Sequence, residues 1–139
     1  MTPNRSLRAL ALTLLCGVPL AGAAEPAGLS IELSSATDVS GACQMSFVAT
    51  NETGQDITRA VYEVVLFGAD GGVAQLSLLD FRDLPKGRPR VRQFQFDGMD
   101  CDQIPRVLIN GAQTCEGAET GGCIDALRLS TRTGTELVG

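Results

Sequence analysis

Ala60-Val61-Tyr62-Glu63-Val64-Val65-Leu66-Phe67 is an eight-residue run with one charge, rich in β-branched and aromatic side chains. Apart from Glu63 it is apolar at both parities, the mark of a strand buried on both faces, so it predicts the most central strand of a sheet. Asp70-Gly71-Gly72 follows as a strong turn signal.

Outward from this run, short apolar stretches alternate with turn residues and no helical period emerges. Before it, Leu29 to Leu33 alternates, and Cys43 to Thr50 puts Cys43, Met45 and Phe47 on one face. Asn51-Glu52-Thr53-Gly54 reads as a turn. After it come Val73 to Phe81 (a strand or an irregular edge segment), a turn at Pro85-Lys86-Gly87, then Val91 to Asp97, Arg106 to Ala112 and Ile124 to Thr131. The tail after Thr133 reads as loose. About seven strands at this spacing predict an all-β sandwich of the immunoglobulin or fibronectin type III kind. Val91 and Phe94 both suit a core yet differ in parity, which calls for a β-bulge at Arg92-Gln93 or an edge strand with one of them exposed.

The 139 residues suffice for one domain. Arg5 and Arg8, the apolar stretch Ala9 to Leu20 and the small residues after it predict a secretory signal over 1–24, too short to span a membrane. Residues 25–139 then form the mature domain. Thr13, Leu14 and Leu15 are too bulky to precede a lipid-modified Cys16, and no twin-Arg pair is present, so the general secretory route is expected. One Lys against ten Arg, with much Ala and Gly, points to a bacterial chain and hence a periplasmic location.

Without residues 1–24 the chain keeps nine basic and 16 acidic side chains, a net charge of −7. That balance argues against general nucleic-acid binding. The chain has no His, which removes Ser-His and Cys-His nucleophile systems and histidine-ligated metals.

Cys43, Cys101, Cys115 and Cys123 remain after the signal, an even number that reads as two disulfides with three possible connectivities. No Cys-x-x-Cys is present, and the spacing lacks the paired hooks of a thiolate zinc site. In the sandwich, Cys43 and Cys101 fall at one end and Cys115 and Cys123 at the other, so Cys43–Cys101 and Cys115–Cys123 are the expected pairs.

From Val48 to Phe96 the sequence resembles the small secreted FxLYD sandwich domains. The resembling pieces are Asn51-Glu52-Thr53-Gly54, Val64-Val65-Leu66-Phe67, Ala69-Asp70-Gly71, and Leu84-Pro85-Lys86-Gly87 before Phe94. Phe67 and Gly68 replace the Tyr and Asp of the name motif. The chain is also similar to four-cysteine exported proteins of proteobacteria without assigned activity. The resemblance implies a fold and an envelope location, with no active site to carry over.

Arg82, Lys86, Arg88, Arg90 and Arg92 place five of the nine mature positive charges within 11 residues. They form a candidate interaction patch for an acidic partner, or a solvated hairpin edge where charge prevents aggregation. Asp97, Asp100 and Asp102 form a weak calcium candidate, with Glu116 and Glu119 in a second loop, but no EF-hand spacing exists. Met45 and Met99 are soft-metal donors in principle, although Met45 shares a face with core residues. Asn51-Glu52-Thr53 is formally a glycosylation sequon, read here as a turn.

The function expected is a non-enzymatic interaction domain of the bacterial envelope, without cofactor, that binds another envelope protein through a sheet edge or the basic hairpin, with Arg88, Arg90 and Arg92 as contacts. The alternative is a small-ligand or cation-binding protein using the acidic loops.

Overall fold

The computed structural model describes residues 21–22 and 27–139. The expected export segment, including Cys16, therefore lies outside the described residues apart from Ala21 and Gly22. No described helix is long and apolar enough to cross a membrane.

Eight strands follow in order: β1 (Leu29–Val39), β2 (Ala42–Asn51), β3 (Ile57–Phe67), β4 (Val73–Leu84), β5 (Arg90–Asp97), β6 (Arg106–Glu116), β7 (Arg128–Thr131) and β8 (Glu136–Val138), with a 3-10 turn at Cys101–Gln103 before β6. They form two four-stranded sheets, ordered β5-β2-β1-β7 and β4-β3-β6-β8. β1 and β2 join through Ser40-Gly41, both at positive φ, the geometry whose twist matches a two-residue hairpin. The β3–β4 turn is closed by Gly68 N–H donating to Gly72 C=O and by the Asp70 carboxylate accepting from Gly72 N–H.

One core lies between the sheets. β1 contributes Leu29, Ile31 and Leu33, β2 contributes Met45 and Phe47, and β3 contributes Tyr62, Val64 and Leu66. Phe81 of β4 stands edge-on to Phe47 and Tyr62 at centroid distances of 5.8 and 5.3 Å, and lies 5.3 Å from Phe94, so aromatic contacts tie the layers together. The central run behaves as its composition demands: β3 lies between β4 and β6, and Val61 and Val65 are buried on its outer side as well.

Several expectations need correction. There are eight strands rather than about seven, and each sheet ends in a parallel pair, β1 with β7 and β6 with β8, where an immunoglobulin sandwich is antiparallel. The seventh expected strand shrinks to Arg128–Thr131, because residues before it turn through Gly122, Ile124 and Leu127 backbone bonds. The tail is ordered: Leu137 packs into the core, Thr135 Oγ1 donates to Ile104 C=O at 2.8 Å, and Glu136 N–H donates to Pro105 C=O at 2.9 Å. No bulge interrupts β5, whose register with β2 runs unbroken from Ala42↔Asp97 to Ala49↔Arg90. Instead Val91 points to solvent and Phe94 inward, as an edge strand permits.

Candidate interaction surface

Disulfides join Cys43 to Cys101 and Cys115 to Cys123, the same residues that the sandwich reading paired. Met45 is fully buried in the core and Met99 packs against it.

The basic cluster does not lie on a hairpin. β4 and β5 belong to different sheets, and residues 85–89 carry the chain from one layer to the other. Asn51 fixes this crossing. It is fully buried, donates Nδ2 to Leu84 C=O and Gln55 C=O at 2.7 Å each, and accepts Thr53 N–H and Oγ1–H on Oδ1. Gly87 N–H donates to Asn51 C=O, and the Asp56 carboxylate accepts Lys86 N–H. The pieces Asn51-Glu52-Thr53-Gly54 and Leu84-Pro85-Lys86-Gly87 thus meet at a clasp centred on the buried Asn51 and Leu84, and the Asn51 amide has no free donor for a glycan.

The five basic residues divide into two sets. Arg92 donates Nε to Phe81 C=O at 2.5 Å and Nη2 to Asp83 C=O at 2.9 Å, with its guanidinium 3.2 Å from the Asp83 carboxylate. Arg90 adds a 3.6 Å pair to Asp83. Both are therefore struts between the layers, not free contacts. Lys86 and Arg88 are exposed, and their side chains make no ion pair or hydrogen bond among the described residues. Arg82 is exposed at φ 58°. Its N–H donates to the Asp80 carboxylate, which is the main reason that carboxyl sits below its ordinary range, with Arg59 at 3.1 Å and the Arg82 charge contributing less.

The acidic residues do not assemble a site. Asp97 accepts from Gln95, Asp100 caps the 3-10 turn, and Asp102 is exposed. Among the described residues, the group with three possible metal-ligand atoms within 4.8 Å is Asp38, Cys43 and Cys101, and both sulfurs are in a disulfide. Glu119 and Asp125 line an open recess of about 310 Å³ beside the Cys115–Cys123 loop, while Glu116 is exposed at the end of β6. The strongly shifted Tyr62 hydroxyl, pushed up by burial, is structural: it donates to Cys123 C=O at 2.8 Å.

A second surface was not legible in the strand-by-strand reading. On the outer face of β4-β3-β6-β8, the register places Leu76, Val65, Leu108 and Val138 in one row across all four strands. Leu78 extends the apolar area beside Glu63, and Leu76 and Leu78 are 57% and 50% exposed. Pairs of polar residues frame the row: Arg106–Glu136 on one side, Glu63–Asn110 on the other. An apolar centre within a satisfied polar rim is the anatomy of a contact surface. The signal was present in the alternating residues Leu76 and Leu78, but only the register shows that they continue across the sheet.

No family model matches the chain, nor does any curated protein or solved structure.

Proposed function

We propose that this chain is a non-enzymatic interaction domain of the bacterial envelope, exported by the general secretory route to the periplasm. On this reading the sandwich is a variant of the immunoglobulin or fibronectin type III kind, FxLYD-like, with an added final strand. Two disulfides support an oxidising compartment.

One observation carries the functional reading: Lys86 and Arg88 stand exposed and unpaired at the layer crossing of a strongly acidic chain. Uncompensated cations on an acidic domain suit an acidic segment of a partner protein, which they would steer and orient. The test is crosslinking and affinity capture of the oxidised chain from its own envelope, with Lys86→Glu/Arg88→Glu as the comparison. One dominant protein lost on charge reversal, with an unchanged thermal midpoint, is the expected result. Capture undiminished by the reversal overturns the proposal. A thermal shift on adding calcium instead would favour the cation-binding alternative.

A further inference from the structure

The chain contains three Asn residues, and one of them, Asn110, precedes a glycine. The register around it is irregular. Glu63 of β3 faces Gly111 and Val64 faces Ile109, so Asn110 has no partner on β3 and is the extra residue of a β-bulge. On its other side β6 pairs with β8 only from Arg106 to Leu108. Asn110 therefore lies outside the ladder on both sides, where local opening costs least. Its side chain is exposed, and Nδ2 donates to the Glu63 carboxylate at 2.5 Å, a bond that engages the amide nitrogen and leaves the carbon Cγ open. Gly111 has no Cβ to hinder the approach of its own nitrogen to that carbon. The space around it is empty as well: an added Cβ would meet no atom beyond the adjoining residues within 4 Å.

We propose that Asn110-Gly111 is a site of spontaneous deamidation, an amide-to-acid modification at the rim of the apolar row. The Gly111 backbone nitrogen attacks Cγ of Asn110 and gives up its proton to water as the new C–N bond forms. The Cγ–Nδ2 bond breaks and ammonia leaves, which closes a five-membered succinimide. Water then adds to one of the two ring carbonyls and opens the ring, to aspartate or to isoaspartate, in which the main chain runs through Cγ. The net reaction takes amide and water to carboxylic acid and ammonia, with no change of oxidation state. Its product replaces the donor to Glu63 by a second carboxylate, so an attractive contact becomes a like-charge one. Glu63 stands opposite Leu78, so the border of the apolar area gains negative charge as the protein ages.

The test is incubation of the oxidised chain in warm neutral buffer, followed by peptide mapping that separates aspartate from isoaspartate at position 110. Progressive conversion of Asn110 is expected, with isoaspartate among the products. Asn51, buried and donating to two carbonyls, stays an amide. Folding is expected to slow the conversion of Asn110 by no more than about tenfold relative to the chain held unfolded in urea, because the bulge frees backbone that a paired strand would lock. Gly111→Ala fits the fold, since its Cβ enters open space, and slows conversion at least about tenfold by restricting the attacking nitrogen. Asn110→Ser abolishes the acidic shift of the aged chain on isoelectric focusing. Asn110 intact in the folded chain while it converts in urea overturns the proposal, and so does an unchanged rate in Gly111→Ala. The proposal is independent of the Lys86 and Arg88 corner, so either reading can fail alone.

Discussion

Asn51 and Leu84 lie 33 residues apart, and the Asn51 amide donates to the Leu84 carbonyl at 2.7 Å inside the protein. With the bond to Gln55 C=O, this contact holds the end of β2 against the point where the chain leaves one sheet for the other. Asn51→Ala orphans the groups that the amide satisfies, each worth about 1–3 kcal/mol when buried. A total loss of about 3 kcal/mol is expected in urea unfolding, with Asn51→Asp no better, since a carboxylate cannot donate to two carbonyls.

Arg92 and Arg88 carry the same charge in different roles. Arg92→Ala removes two bonds to β4 carbonyls and is expected to cost about 1–2 kcal/mol. Arg88→Ala touches no partner and is expected to stay within about 0.5 kcal/mol. Equal losses in thermal denaturation would show that the division of the cluster is wrong.

The Asp80 carboxyl is held down first by the Arg82 backbone N–H and only secondarily by Arg59. An NMR titration is therefore expected to place Asp80 below the ordinary Asp value of about 3.9, with Arg59→Gln moving it only slightly. A depressed folded-state pKa means that the carboxylate stabilises the fold above the unfolded value. That contribution fades as pH falls through the folded pKa. Asp80→Asn should accordingly narrow the difference in stability between neutral and acid conditions.

The two disulfides close loops of very different length, with sequence separations of 58 and 8. From chain entropy, replacing Cys43 and Cys101 by Ala is expected to cost about 4 kcal/mol, and replacing Cys115 and Cys123 about 2.5 kcal/mol. Tyr62 also anchors the shorter loop, through its bond to Cys123 C=O. Tyr62→Phe is expected to lose about 1 kcal/mol alone, and to be non-additive with loss of the Cys115–Cys123 bridge. A double-mutant cycle measures the coupling.

Much of this was legible along the chain because it is written in periodicity and end positions. Apart from Glu63, Ala60 to Phe67 is apolar at both parities, which suits an interior strand, and β3 is one. Cys43 and Cys101 flank strands that start at the same end, so their pairing needed only strand order. Leu137, by contrast, is one inward residue in a three-residue strand, too short for any period to emerge.

What the sequence by itself determined is the β character, the central strand, the turns and the set of cysteines, because these depend on local sterics and on which faces are apolar. Tertiary structure alone decided that β4 and β5 part into separate sheets. Two strands joined by five residues can pair with each other, but β5 finds eight partners on β2 and Asn51 holds the crossing open. The same long-range choice turned Arg90 and Arg92 into struts, left Lys86 and Arg88 free, and lined up Leu76, Val65, Leu108 and Val138 from strands that are distant in sequence. Register between strands is a property of the packed core, and no single stretch of the chain contains it.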